Sequence, residues 1–370
     1  MDNYVLVFPG QGSQYKGMSK DLYENGEVAK KLIDSADSVL DFDLKETMFE
    51  DSNNQLDFTE YTQPALLVHS VVAFEELKHR LSKFEKTFNY SVCLGLSLGE
   101  YSALVVAGKI SFLNAVNLVR KRGKFMQDAV PVGEGTMAAI LGLDRENVEK
   151  AIKLSLEELC KLKLESDSDK KDNTLNLDSN VSLKNDITIP VVEVANYNCP
   201  GQIVISGEVE AVRIAMEKCK ELGAKKVIEL NVSGPFHSSM LKSAGEKLLS
   251  ELEKIDFLTS DKKVISNVNA QYYDNYNLNL NSTDTNNKNS TDTDNKNNYC
   301  DLLVKQVSSS VLWENSIEKL LDEGYDKFVE IGPGKTLKGF IKKIASKKGV
   351  KVEIYNIEDM KSIEKFIEIL

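Results

Sequence analysis

The chain has 370 residues, 42% of them hydrophobic, enough for one large or two modest domains around a true apolar core. A net charge of −11 argues against general nucleic-acid binding, and five cysteines without a C-x-x-C pair or metal-ligand spacing exclude a disulfide scaffold. No apolar run reaches the roughly 18 residues of a membrane span.

The predicted elements begin at once. YVLVF (4–8) reads as a strand, so no signal or transit segment is expected; the protein acts where it is made, or a leader has been removed. A glycine turn leads into a helix-like stretch to about residue 40, and QPALLVHSVVAFEELKHRL (63–81) has the three-to-four spacing of a helix with a buried face. Strand SVCLGL (91–96), helix GEYSALVVAGK and helix 112–130 follow, an alternation that predicts a mostly parallel sheet covered by helices.

From about residue 134 the texture changes. TMAAILGL, ENVEKAIKLSLEELCK, VVEVANYN, QIVISG, EVEAVRIAMEKCKELG and KKVIELNV give the order βαββαβ, the split-βαβ pattern of ferredoxin-like folds. The chain then returns with helix 238–254, strand KKVISNV (262–268), a helix carrying Trp313, and strand KFVEIG running into GPGKTLKGFIKKI. The expected organisation is an α/β chain: residues 1–130 and 234–370 form a large domain, and 131–233 a small inserted ferredoxin-like one. Residues 162–187 and 273–299, rich in Asn, Asp, Ser, Thr and Lys, read as solvated surface-loop insertions.

Two glycine-rich turns fail as nucleotide sites. FPGQGSQY lacks the third glycine of a dinucleotide fingerprint, where Tyr15 stands, and GPGKT lacks the first glycine of a phosphate loop, where Val329 stands. The Gly95-x-Ser97-x-Gly99 pattern lies between a strand and a helix, the context of a nucleophile elbow, although a packing turn would look the same. A serine needs a base. Of three histidines, His69 sits in an apolar helix and His79 among charges; His237, after a strand and before a helix, is the favoured base. A serine hydrolase giving its acyl group to water is the competing enzyme class.

The stretches FPGQGSQ (8–14), YTQPAL (61–66), GLSLGEYSALVVAG (95–108), RGKFMQDAVP (122–131), ANYNCPGQIVISG (195–207), VSGPFHSSML (232–241), VISNVNA (264–270) and EIGPGKTLKG (330–339) run the length of the chain. By them the sequence resembles the malonyl-CoA:acyl carrier protein transacylases of type II fatty-acid synthesis. The resemblance implies an α/β-hydrolase-like catalytic domain with a nucleophile elbow, and it implies Ser97 as nucleophile and His237 as base. It implies Gln306 as the residue whose backbone carbonyl orients the histidine, and Gln11 and Leu98 as backbone donors to the oxyanion hole. Arg122 falls where the family holds the malonyl carboxylate, a task suited to the planar guanidinium fork. Phe236 matches a pattern associated with malonyl over methylmalonyl.

The resemblance further implies ping-pong transfer from malonyl-CoA to the phosphopantetheine thiol of acyl carrier protein, with no metal and no cofactor beyond the substrates. One position departs from the common family pattern: Leu96 precedes the nucleophile where histidine is usual. Lys335, Lys338, Lys342, Lys343, Lys347 and Lys348 are the densest basic cluster and could receive an acidic carrier. No nucleic-acid or membrane partner is expected, and the chain is read as a monomer. The Asn- and Lys-heavy insertions and the scarcity of arginine, five of 46 basic residues, suggest a plastid-type organelle (apicoplast) with its leader removed; the alternative is a bacterial cytoplasm.

Overall fold

The computed structural model describes residues 3–169, 189–232, 234–275 and 292–370. The first part of the chain runs β1 (Tyr4–Phe8), α1 (Lys20–Asn25), α2 (Glu27–Asp37), α3 (Leu44–Phe49), α4 (Thr59–Lys83), β2 (Tyr90–Gly95), α5 (Gly99–Val106) and α6 (Phe112–Asp128). Next come β3 (Gly135–Leu141), α7 (Arg145–Asp169), β4 (Val192–Cys199), β5 (Gln202–Glu208), α8 (Val209–Glu221) and β6 (Lys226–Glu229). The return comprises α9 (Lys242–Leu252), β7 (Lys263–Val264), α10 (Asp292–Ser308), α11 (Trp313–Asp322), β8 (Lys327–Ile331), α12 (Thr336–Lys348), β9 (Glu353–Ile357) and α13 (Met360–Ile369).

Two sheets result. The larger has the order β7-β2-β1-β8-β9 with every pairing parallel. Its central strand β1 is apolar at every position because both faces are covered. Tyr4, Leu6 and Phe8 enter one apolar cluster with α4, while Val5 and Val7 enter another with α11 and α12, as the two-residue alternation of a strand requires. The smaller sheet, order β4-β5-β3-β6, is antiparallel and packs its own core against α7 and α8. Its strands, taken in chain order, lie 2-3-1-4, the arrangement of a ferredoxin-like unit. A parallel bridge between Asn196 and Val311, with amides at 3.0 and 2.8 Å, ties this sheet to the loop after α10.

Several expectations need correction. The strand foreseen over 262–268 is only Lys263–Val264, because the chain turns at Ser266–Ala270 to aim Asn267 inward. The insertion foreseen at 273–299 is not surface loop at its ends. Tyr273 and Tyr299 are 2% and 5% exposed. The Tyr299 ring stacks between Phe257 and Tyr273, with centroids 4.7 Å apart on each side. Helix α7 likewise continues to Asp169, into the first foreseen insertion; residues 170–188 and 276–291 lie outside the described residues. The segments α3, α10, β9 and α13 had no counterpart in the sequence reading.

Candidate active site

The turn from β2 into α5 fixes the central serine. A Cβ on Gly95 would lie 1.9 Å from the Gly99 carbonyl carbon, and one on Gly99 would lie 2.1 Å from the Phe8 carbonyl oxygen. Both positions therefore demand glycine for packing alone. Between them Ser97 is held at φ 52°, in the left-handed region that non-glycine residues avoid at a cost of about 1–3 kcal/mol. Asn267 grips the turn: its Oδ1 accepts from the Ser97 amide at 2.7 Å, and its Nδ2 donates to the Gly95 carbonyl at 2.7 Å. The serine hydroxyl is thereby presented at the N-terminus of α5, whose first residues follow Leu98 as N-cap.

His237, also at positive φ (59°), stands opposite. Its Nε2 lies 2.8 Å from Ser97 Oγ and its Nδ1 lies 2.9 Å from the Gln306 carbonyl oxygen. A carbonyl only accepts, so Nδ1 carries the hydrogen and Nε2 is left to accept from the serine hydroxyl. Burial, and then the Arg122 charge, push the imidazole down to about 4, so at neutral pH it is the unprotonated, base-competent form. His69 is buried against Ser19 Oγ at 2.7 Å, and His79 pairs with Glu27 at 3.2 Å on the surface.

Arg122 comes from α6 and is 1% exposed. Its Nη1 donates to Gln63 Oε1 at 2.8 Å; its Nη2 donates to Gln306 Oε1 at 3.0 Å and reaches Ser97 Oγ at 3.3 Å. The guanidinium lies 5.2 Å from the Tyr101 ring centre. Among the described residues no carboxylate pairs it directly, and burial lowers its pKa. A buried cation in contact with neutral amides and a hydroxyl, beside an open cavity, is a ready receptor for an anion.

That cavity, of about 410 Å³, is lined by Gln11, Ser97, Leu98, Arg122, Phe236 and His237 on the side of the parallel sheet. Met137, Asn196, Asn198 and Val204 line it from the antiparallel sheet, and Thr336, Leu337 and Phe340 from α12. The residues singled out in the sequence thus converge on one space, with Gln306 fully buried behind His237. Leu96 also lines it, putting an aliphatic side chain beside the serine. The lysine cluster is divided: Lys347 pairs with Glu314 at 2.9 Å and Lys348 with Asp322 at 2.7 Å, whereas Lys335 and Lys338 flank the cavity-lining Thr336 and Leu337.

Sequence reasoning missed Gln63, Glu100, Asn196, Asn198 and Asn267. Gln63 was visible as a polar side chain in the buried face of an apolar helix; the others lay in quoted stretches without a residue type that marks them. Among the described residues, no group of three or more His, Cys, Asp or Glu could hold a metal ion, and no helix is long and apolar enough to cross a membrane.

Comparison with known proteins gives the chain its family. The acyl transferase domain family matches residues 5–160 and 159–362. The chain is 40% identical to the malonyl CoA-acyl carrier protein transacylase of Bacillus subtilis, covering 100% of this chain and 98% of that protein. It is 42% identical to the protein of that name from Staphylococcus aureus, covering 98% of each. Among solved structures, the transacylase of Clostridium perfringens superimposes with a TM-score of 0.77 at 38% identity, covering 99% of this chain and 96% of that one. A malonyl-transacylase solved in complex with a type II PKS acyl-carrier protein superimposes with a TM-score of 0.80 at 32% identity, each chain covered in full (100%). The chain belongs to the acyl transferase family and, within it, to the malonyl CoA-acyl carrier protein transacylases.

Proposed function

We propose that Ser97, His237 and Arg122 together transfer a malonyl group from malonyl-CoA to the phosphopantetheine thiol of acyl carrier protein. The observation that carries this reading is the line Ser97 Oγ, His237 imidazole, Gln306 carbonyl, with the buried Arg122 fork 3.3 Å from the same hydroxyl. Ser97 Oγ attacks the thioester carbon as its proton passes to His237 Nε2. The carbon–sulfur bond breaks, and coenzyme A leaves with that proton. Backbone amides at Gln11 and Leu98 receive the transient oxyanion. The carrier thiol then gives its proton to His237, attacks the malonyl-serine ester and restores the serine.

The malonyl carboxylate sits two bonds beyond the acyl carbon, within reach of the Arg122 Nη2 that contacts Ser97. Two parallel hydrogen bonds to a carboxylate suit a guanidinium, and a serine hydrolase of neutral acyl esters has no use for a buried cation there. Phe236, lining the cavity beside His237, crowds an α-methyl group. The side chains, the backbone groups and the two substrates supply every step of this reading, which calls on no resident cofactor. In this reading residues 1–130 and 234–370 carry the reacting groups, and 131–233 form a small domain that supplies the facing wall.

Lys335, Lys338 and Lys342, on the helix that borders the cavity, are the basic surface proposed for the acidic carrier. The relatives named above are bacterial, which favours a bacterial cytoplasm over an organelle. Arg122→Ala tests the reading. Malonyl transfer should fall by about a hundredfold, the scale of removing one partner from a buried charge pair, while acetyl-CoA, lacking the carboxylate, should lose far less. Equal losses for both acyl groups, measured as kcat/KM, would contradict it.

A further inference from the structure

The proposed reaction leaves Glu100 without a task, yet this carboxylate is wholly buried three residues after the nucleophile in the chain. One of its oxygens, Oε2, accepts from the Asn267 amide at 3.0 Å and from Gln306 Nε2 at 2.7 Å; the other, Oε1, accepts from the Tyr273 hydroxyl. Those first two partners are the residues that grip the peptide groups of Ser97. Asn267 holds the Ser97 amide through Oδ1, and Gln306 Nε2 donates to the Ser97 carbonyl at 3.0 Å. Gln306 also holds the Arg122 guanidinium with its side-chain oxygen and the His237 ring with its backbone carbonyl.

We propose that Glu100 is a positioning residue: by anchoring Asn267 and Gln306 with a single oxygen, it keeps Ser97 in its left-handed turn and sets His237 and Arg122 against it. The polarity of the network leaves one solution. Backbone amides and a guanidinium can only donate, and carbonyls can only accept, so the Gln306 amide must turn its nitrogen to Glu100 and Ser97 and its oxygen to Arg122. An acceptor at position 100 is what satisfies the Asn267 amide and the second Gln306 hydrogen at once. The three segments joined, at residues 97–100, 267 and 306, are far apart in the chain, so no local element could hold them in its place. The inference rests on the reading that Ser97 is acylated and that Arg122 binds the malonyl carboxylate.

Single-turnover formation of malonyl-Ser97, followed by electrospray mass, tests it with three variants. Glu100→Ala should slow acylation by about a hundredfold, the order expected from displacing reacting groups by an ångström, and should narrow the preference for malonyl-CoA over acetyl-CoA. Glu100→Gln can place its amide oxygen at the Oε2 position and its nitrogen against the Tyr273 oxygen, so it should recover most of the rate. If Glu100→Ala does not fold, Glu100→Asp, which keeps the charge but withdraws it by one methylene, should slow acylation by about tenfold. A folded Glu100→Ala or Glu100→Asp with wild-type acylation would overturn the inference, as would a Glu100→Gln as slow as Glu100→Ala. Failure of the underlying reading looks different: a malonyl adduct that survives Ser97→Ala.

Discussion

Two buried glutamates sit beside two of the strand-to-helix connections of the parallel sheet, and burial pushes both up to about 7 from the ordinary 4.5. Glu330, on β8, accepts from the Leu337 and Lys338 amides at 3.0 and 2.8 Å, so it caps the helix that begins at Thr336. Glu100, at the start of α5, takes its donors from Asn267, Gln306 and Tyr273 instead. The same perturbation with the same cause therefore accompanies two different jobs. A shifted carboxylate marks a desolvated group; the origin of its hydrogen-bond donors tells whether it serves one helix or assembles a site.

The comparison can be broken most severely by alanine. Glu330→Ala should lower stability and leave the ratio of malonyl to acetyl transfer unchanged in the folded fraction, whereas the same change at Glu100 alters rate and ratio. A shifted ratio in Glu330→Ala would erase the distinction. Glutamine sharpens it further. At position 330 both carboxylate oxygens accept from backbone, so an amide nitrogen must face a donor, and urea unfolding of Glu330→Gln should show a loss of about 1–3 kcal/mol. At position 100 a single oxygen accepts from both the Asn267 amide and Gln306, and the Tyr273 oxygen can accept instead of donate, so the glutamine variant should unfold close to the wild type.

A smaller effect is the pH dependence of stability. Glu100 and Glu330 bind protons more tightly folded than unfolded, so their contribution is full below 4.5 and is lost as pH rises through about 7. His69 and His237, pushed down from 6.5 to about 4, act oppositely: the unfolded chain binds more protons, and stability falls as pH drops from 6.5 towards 4. The slopes oppose each other between 4.5 and 6.5, and above 6.5 only the glutamates act. Urea midpoints should therefore decline on crossing pH 7, less so in Glu330→Gln; a decline of undiminished size there would remove Glu330 as a cause. The smallest effect concerns the surface: Lys335→Glu with Lys338→Glu and Lys342→Glu should raise the KM for acyl carrier protein severalfold at low salt and leave small thioesters alone.

Much of this was legible in the sequence because it is written locally. Short apolar runs marked β1 and β2, three-to-four spacing marked α4, and the alternation of strand-like and helix-like stretches gave the βαββαβ order of the small sheet. The site residues came from the resemblance and from residue types that chemistry makes conspicuous: a serine between glycines, an isolated histidine, a scarce arginine. What escaped was written in distant contacts. Tyr273 and Tyr299 border a polar run with no periodicity, and they pack with Phe257 and Glu100. Glu100 looks like an ordinary acid in the first turn of a helix, where acids are common on exposed surface. Asn267 lay within a foreseen strand, but its backbone turns to meet the elbow, a demand set by Ser97, 170 positions earlier.

The central claim is that a malonyl group rests on Ser97 on its way to a carrier thiol. Electrospray mass of the protein after malonyl-CoA, followed in time with and without phosphopantetheinylated acyl carrier protein, tests it most directly. The account predicts one malonyl adduct, absent in Ser97→Ala, that carrier protein discharges faster than water does. No adduct under any condition, or an adduct that persists in Ser97→Ala, would contradict it.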